Sequence, residues 1–187
     1  MNAKEIAKIL HGFFLIIKLD NRFVKFFDNN EKYFWKSFYA ALIVAPLQVF
    51  YEWGVYIKLD EKPPLIRIIP IETLEYIILW FFFPLVMTHI IKAINREEKY
   101  FNYIITYNWF QMGLSITIMP FIILSVFNLI PLTIGTLFET IIFIAYIFYN
   151  VFIAREILRL TNGPSFSIIL INILLTLLIT QIILSML

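Results

Sequence analysis

Two carboxylates lie inside stretches of sequence that are otherwise apolar. Glu139 lies about two turns into the fourth of these stretches, and Glu52 lies in the second half of the first. An ionisable side chain at membrane depth is costly, so each is a candidate for function. The functional interpretation is a protonatable pair on a proton or cation pathway, with Glu52 and Glu139 meeting at similar depth. The structural alternative has Glu139 protonated and hydrogen-bonded across helices, with Glu52 partly hydrated near the surface.

A second group of polar side chains falls at comparable depths near the opposite ends of the apolar stretches. Amide and imidazole groups there either line a polar cavity or join helices by hydrogen bonds, each worth on the order of 1 kcal/mol in membranes. Both interpretations stay open. The group consists of His89, Asn108, Gln111 and Asn150, with the hydroxyls of Tyr107, Tyr146 and Tyr149 nearby.

The residue patterns of the common soluble enzymes are missing. The chain has no cysteine, which excludes disulfides, thiolate nucleophiles and thiolate metal sites. His11 and His89 lack the i, i+4 spacing of a helical zinc site, and there is no glycine-rich phosphate loop. We therefore predict no catalytic, cofactor-binding or metal-ligating residue. An intramembrane enzyme acting on lipid would have to use the polar groups described above.

Hydropathy predicts the elements that position these residues. The chain is 61% hydrophobic and 15% charged, against roughly 45–50% and about 25% in soluble domains. Its net charge of +2 is too small to indicate a nucleic-acid partner. We predict an all-α integral membrane protein in which residues 35–187 form a five-helix bundle. Its spans, each near the ~20 residues that a bilayer core requires, are placed at about 35–57, 70–91, 101–126, 131–154 and 166–187.

Prolines fall inside the first three predicted spans, at Pro46, Pro84 and Pro120. Each removes a backbone hydrogen bond, so these helices are expected either to hinge, as in transporters, or to carry static bends. Pro70 is placed at the start of the second span. Glu72 and Glu75 then fall near the positive end of the helix dipole, which accounts for them without a metal site.

Residues 1–34 form a separate amphipathic segment before the first span. Between residues 3 and 18, basic side chains and His11 fall on one helical stripe and apolar side chains on the other. We predict a helix in the membrane interface on the cytoplasmic side. The alternative is a helix packed along the cytoplasmic face of the bundle. Asp28 and Glu31 resemble a capping box that begins the next helix.

The distribution of basic residues predicts the orientation. Of the 15 Lys and Arg residues, twelve precede the first span or lie in the second-to-third and fourth-to-fifth connections. Only Lys58, Lys62 and Arg67 fall on the other side. The excess places the N-terminus in the cytoplasm and the C-terminus outside. The abundance of Ile, Phe, Lys and Asn is typical of an AT-rich genome, and we expect a bacterial inner membrane with a periplasmic C-terminus.

Two segments carry a resemblance to a known family. Residues 103–111, YIITYNWFQ, and residues 153–158, IAREIL, resemble segments of the Yip (Ypt-interacting protein) superfamily, particularly its small bacterial members. The five-span layout is similar as well. The resemblance implies a five-helix fold and a scaffold or membrane-organising role. Eukaryotic members carry an Asp-Leu-x-Gly-Pro motif before the first span, and its absence means that binding to small GTPases is not implied.

Two functions from different classes follow from these observations. The first is a non-enzymatic inner-membrane protein with a scaffold, partner-binding or membrane-organising role. Its partners would be the lipid bilayer and other membrane proteins, or a second copy of this chain. The alternative is a small proton- or cation-coupled transporter or channel that uses Glu139 and Glu52. No cofactor is expected in either case.

Overall fold

The computed structural model describes residues 1–186, with every side chain except that of Leu132. It is 84% helical, and residues 1–186 contain no strand. Five of its helical stretches are long and apolar enough to cross a membrane. The predicted all-α architecture with five helical stretches of spanning length is thereby confirmed. The sidedness of the bundle and the membrane placement of the N-terminal helix stay predictions.

Seven α-helices and two short 3-10 turns make up the described part of the chain. The first predicted span consists of two helices, α2 and α3, that meet at Phe38, and each of the other four spans is a single helix. The elements are α1 (Ala3–Ile17), a 3-10 turn (Asn21–Phe26), α2 (Glu31–Ser37), α3 (Tyr39–Ile57), α4 (Leu65–Ala93), a 3-10 turn (Glu97–Lys99), α5 (Tyr100–Val126), α6 (Leu132–Leu158) and α7 (Asn162–Leu184).

Two helices begin earlier than the sequence indicated. Helix α4 begins at Leu65 because the extended Pro64 precedes it, and Pro70 lies inside the helix. Glu72 and Glu75 therefore lie two to three turns in, away from the positive end of the helix dipole. Helix α7 includes Gly163 and Pro164 in its first turn, where proline loses no hydrogen bond. The predicted end of the last span, Leu187, lies outside the described residues.

Helix α5 is the central element of the bundle. It packs against α2, α3, α4 and α6, while α6 also packs against α7 and α7 against α4. Nearly every side chain of its first half, residues 102–112, is buried, whereas its second half is largely half-buried or exposed. Burial is therefore concentrated at one end of the bundle. We call this the inner end, following the predicted orientation, and the opposite end the outer end.

Helix α1 packs onto α5 and α6 at the inner half of the bundle. The Phe13 ring lies 5.7 Å from the Phe110 ring. Ion pairs of 2.7 Å join Glu5 to Lys36 and Lys8 to Asp28. Because Asp28 binds Lys8, it does not form the predicted capping box, and Asn30 caps α2 instead. The opposite face of α1 exposes a stripe of apolar side chains, which includes Ile6, Leu10 and Phe14.

Candidate functional site

Glu139 lies on the inward-facing stripe of α6. Tyr146, Asn150 and Ile157 follow it by seven, eleven and eighteen residues, spacings that return to nearly the same side of a helix. Asn150 and Ile157 are almost fully buried, at 1% and 2% exposure. Tyr146 is half-buried, and Glu139 is exposed. A single helical face is therefore closed at the inner end of the bundle and open at the outer end.

Side chains on the facing stripes of α6 and α7 are exposed towards the outer end. The two helices meet where Asn172 of α7 bonds to Tyr146 of α6 at 2.7 Å. One turn further out on the same stripe of α7, Thr176 is exposed, and Phe143 of α6 is 52% exposed. Helix α7 packs there against α4, and Thr180 donates a hydrogen bond of 2.6 Å to Glu75. We call the space bordered by Glu139, Phe143 and Thr176 the outer cleft.

Carboxylates from α3 and α4 lie at the same end of the bundle as Glu139. Glu52 of α3 accepts a hydrogen bond of 2.6 Å from Gln48, one turn back on its own helix. Its carboxylate is also within electrostatic range of Glu72 and Glu75 on α4. The Tyr51 phenol lies within such range of Glu52, Glu72 and Glu139. Acidic groups from three helices therefore lie within electrostatic range of one tyrosine.

Glu52 and Glu139, which were predicted to meet, lie at the same end of the bundle but do not bond to each other. Neither carboxylate hydrogen-bonds the other, because Glu52 is held by Gln48 on its own helix. Both instead lie in the neighbourhood of Tyr51. The predicted cross-helix hydrogen bond to Glu139 is also absent among the bonds of residues 1–186, and Glu139 stays exposed.

The outer carboxylates form no ion pair with any of the residues that the structure describes. The four ion pairs within that part of the chain lie at the inner end or on the N-terminal segment. Arg67, at the outer end of α4, donates instead to the backbone oxygen of Met186 at 2.8 Å. The same part of the chain holds no group of three or more side chains suited to a metal ion. The outer end of the bundle thus carries carboxyl groups without an ion-pair partner and without a preformed metal coordination shell.

A layer of hydrogen-bonded side chains closes the bundle below the cleft. The Asn172 amide donates to the hydroxyls of Tyr107 and Tyr146, at 2.9 and 2.7 Å. Gln111 donates to the Asn150 side-chain oxygen at 3.2 Å. Asn150 in turn donates to the backbone oxygen of Tyr146 at 2.8 Å. These five residues, which we call the inner polar layer, join α5, α6 and α7.

The structure brings together only part of the polar cluster predicted towards the inner end. Gln111 and Asn150 are bonded, as described. His89 is exposed on α4, with its ring 3.1 Å from the hydroxyl of Thr88 on the same helix. Asn108 is fully buried but donates to Ser37 of α2 at 2.8 Å, on another side of α5. One residue of helix turns a side chain by about 100°, which separates Asn108 from Tyr107 and the layer.

Two further tyrosines near the layer take no part in it. Tyr149 is directed to α1, where its hydroxyl donates to the backbone oxygen of Ile17 at 3.3 Å. Tyr103 is fully buried, and its hydroxyl has no hydrogen-bond partner in the structure. The Tyr103 ring lies beside those of Phe83 and Tyr107, at 6.4 Å from each. A buried hydroxyl without a partner costs about 1–3 kcal/mol. The Tyr103 hydroxyl therefore lowers the stability of the bundle next to the layer.

Sequence reasoning missed the residue at the centre of this layer. Asn172 lies in the fifth predicted span and is not among the site residues predicted from the sequence. The structure buries it to 4% exposure between two tyrosines. The available signal was its position, since an amide in the middle of an apolar span needs a partner for the same reason as Glu139 does. Tyr51 was missed as well, and Glu72 and Glu75 were assigned to the start of a helix that in fact begins at Leu65.

The fold and the cleft define the class of molecule as a five-span helical membrane protein with acidic side chains at one end of its bundle. No family model, curated protein or solved structure matches this chain. The resemblance to the Yip superfamily therefore stays a prediction from two short segments. Function must be argued from the geometry of the cleft and of the layer below it.

Proposed function

We propose that this protein is a small, non-enzymatic transporter or channel that binds a proton or cation in the outer cleft. The observation that carries the proposal is that Glu52, Glu72 and Glu139, on α3, α4 and α6, lie at one end of the bundle and within electrostatic range of Tyr51. Charged groups inside membrane spans characteristically mark ion pathways or proton relays. Holding several of them without a paired cation is costly unless water, a proton or a cation fills the space between them.

The shape of the bundle supports a pathway that is open at one end. The outer cleft exposes Glu139, whereas the inner polar layer closes the same face of α6 two turns further in. A site at intermediate depth that is open to one side and closed to the other is what alternating access requires. Pro46, Pro84 and Pro120 interrupt the backbone bonding of α3, α4 and α5, where bending would change the closed end.

The chemistry of the cleft limits the ligand. Without a group of three or more metal-binding side chains among residues 1–186, the site does not suit a tightly coordinated divalent ion. A proton, a hydrated monovalent cation or an organic ammonium ion suits dispersed carboxylates better. In the proposed orientation, with the N-terminus in the cytoplasm of a bacterium, the cleft faces the periplasm and takes its ligand from there.

The proposal is tested by flux into liposomes that contain the purified protein. Vesicles with an internal pH-sensitive dye, or with a sodium or potassium dye, are given an imposed gradient of each ion in turn. We expect Glu139→Gln to slow the flux by about ten-fold or more, equivalent to about 1.4 kcal/mol of barrier. Glu61→Gln, at an exposed loop carboxylate, is the matched control and should leave the flux unchanged. Wild-type flux equal to that of empty vesicles for all three ions would refute the proposal.

A partner-binding role is the second candidate, and the exposure of the cleft favours it. Phe143, one turn along α6 from the unpaired Glu139, is 52% exposed. A spanning helix of another membrane protein that carries Lys, Arg or His would cover both the apolar surface and the charge. A photo-crosslinking residue at Phe143 separates the two functions. A discrete adduct with another protein that disappears in Glu139→Gln supports partner binding, whereas its absence together with flux supports transport.

A further inference from the structure

A groove of about 570 Å³ runs along the back of α6. Residues 144, 148, 151 and 155 recur at intervals of four, three and four, which places them on one stripe of the helix. That stripe lies on the side of α6 opposite to Glu139, so the groove is separate from the outer cleft. The other walls come from the connection after α1 and from the start of α7. Its lining includes Leu19, Ile144, Phe148, Val151, Arg155 and Phe166.

The length of the groove corresponds to one leaflet of a bilayer. Eleven residues separate Ile144 from Arg155, or about 16 Å at 1.5 Å per residue. Half of a hydrocarbon core of ~30 Å is ~15 Å. Side chains along this length are apolar, and several are open to the surroundings, with Ile144 61% and Phe148 53% exposed. The groove therefore opens sideways, in the region where the spanning helices meet acyl chains.

Polar side chains occur only at the inner end of the groove. Arg155 donates through Nε and Nη2 to Glu156, at 2.9 and 2.7 Å, and through Nη1 to Asn162 at 3.3 Å. A guanidinium group has five N–H donors, so Arg155 keeps donors for a further acceptor. Lys18 precedes Leu19 in the chain, and Arg159 follows Arg155 by one turn; both are exposed. The inner end of the groove is thus basic overall, although Glu156 neutralises part of its charge.

We propose that this groove binds one phospholipid of the adjoining leaflet, with its phosphate at Arg155 and an acyl chain against Ile144, Phe148 and Val151. The occupant follows from the match of an apolar channel one leaflet long with a cationic end. Phosphate is a natural partner for arginine, since the planar guanidinium donates two parallel hydrogen bonds. An anionic headgroup such as phosphatidylglycerol is preferred over phosphatidylcholine because of the basic surroundings. The site does not depend on the function of the outer cleft.

The first test uses the unaltered full chain. It is reconstituted in phosphatidylcholine vesicles that contain a small fraction of phosphatidylglycerol with a photoreactive diazirine on one acyl chain. After illumination, the labelled peptides are identified by mass spectrometry. We expect label to concentrate at residues 144–151 and at Phe166. Label spread over all exposed apolar faces, including Leu42 and Val49 of α3, which are both 68% exposed, would overturn the proposal.

The second test measures lipid retention by native mass spectrometry in detergent. Arg155→Gln should lower the occupancy of phosphatidylglycerol by about five-fold, equivalent to about 1 kcal/mol. Val151→Trp, which fills the groove, should lower the occupancy of phosphatidylglycerol and phosphatidylcholine alike. Lys92→Gln is the matched control, because it removes an exposed inner-end charge outside the groove. Wild-type occupancy in both groove variants overturns the proposal. If circular dichroism shows that Arg155→Gln is unfolded, the test of lipid binding rests on Val151→Trp and on the labelling pattern.

Discussion

Replacing Asn172 with leucine should destabilise the bundle through loss of the inner polar layer. The Asn172 amide donates to Tyr107 and Tyr146, and these two bonds tie α7 to α5 and α6. Leucine is close to asparagine in size and favours an apolar span, so the substitution removes the bonds with little loss of packing. Interhelical bonds in membranes average about 0.6 kcal/mol and reach about 1.7. Two of them give an expected loss of about 1–2 kcal/mol in the free energy of unfolding.

Tyr103→Phe is the matched control for this prediction. It removes a hydroxyl that is as deeply buried as the layer but has no partner. Removing a polar atom that has no partner also removes the cost of burying it. Tyr103→Phe should therefore leave the free energy of unfolding unchanged or raise it. Both substitutions lie in the same part of the bundle. Their opposite effects would therefore separate hydrogen bonding from general sensitivity of the core.

The assay is reversible unfolding in mixed micelles with increasing sodium dodecyl sulfate, followed by tryptophan fluorescence and circular dichroism. A double-mutant cycle between Asn172→Leu and Tyr146→Phe should give a coupling energy of about 0.5 kcal/mol or more, because the two side chains share a bond. Asn172→Leu could instead be as stable as the wild type, or Tyr103→Phe could lose as much free energy of unfolding as Asn172→Leu does. Either result would mean that the hydrogen bonds of the layer do not stabilise the bundle.

Two further predictions concern the N-terminal segment. A Cβ atom on Gly113 would lie 2.4 Å from the Phe13 ring, so Gly113→Ala should loosen α1 and raise its amide hydrogen exchange. Gly163→Ala, with nothing within 4 Å, is the control, and equal exchange in the two variants would contradict the docking of α1. Hydrogen bonds from the side chain and backbone of Arg22 lower the pKa of Asp20 from 3.8 to about 2. A lowered pKa means that this contribution to stability is complete above about pH 4 and is lost as the pH falls to about 2. Exchange of the turn after Asp20, corrected for intrinsic rates, should therefore rise over that interval, and in Asp20→Asn it should be raised at every pH.

The fold was predictable because span length and hydropathy belong to each helix alone. Five apolar stretches identify five spans whatever their neighbours are. The outer cleft was predictable only in part, since it depends on which faces meet. Glu139 stood out as a charge within a span, whereas Glu72 was assigned to a helix start because Pro70 was taken as the first residue. Pro64, which sets the true start of α4, was equally visible in the sequence.

The polar layer was harder to predict because adjacent residues in a helix have different neighbours. Asn108 and Gln111 lie less than one turn apart, yet they bond to α2 and α6 respectively. The position of each residue along its span places both at a similar depth in the membrane, but it does not give the direction of either side chain. Asn172 was underrated although Thr176 and Thr180 follow it by four and eight residues and mark the same face of its helix. Only the packing of α5, α6 and α7 shows that it is central.

Helix α6 connects the outer cleft to the inner polar layer as one rigid element. It is the helix that carries both Glu139 and Tyr146, about 10 Å apart along one stripe at 1.5 Å per residue. It has no internal proline, unlike α3, α4 and α5. A rotation of α6 that moves Glu139 must therefore also move Tyr146 away from Asn172. If neutralising Glu139 rotates α6 during transport, the same rotation therefore opens the layer, without a chain of intermediate contacts.

Because of this linkage, the transport and partner-binding hypotheses predict different effects of Tyr146→Phe on ion flux. If α6 moves during transport, weakening the Tyr146 bond to Asn172 favours the open layer, and ion flux should rise. Combining it with Glu139→Gln should return the flux to a low level, because an open layer without the acidic group leaves the ion without a site at membrane depth. If the cleft only binds a partner helix, Tyr146→Phe should change neither flux nor crosslinking at Phe143. Flux that rises equally in the single and the double variant would indicate a leak through a damaged bundle, and the coupling through α6 would then be wrong.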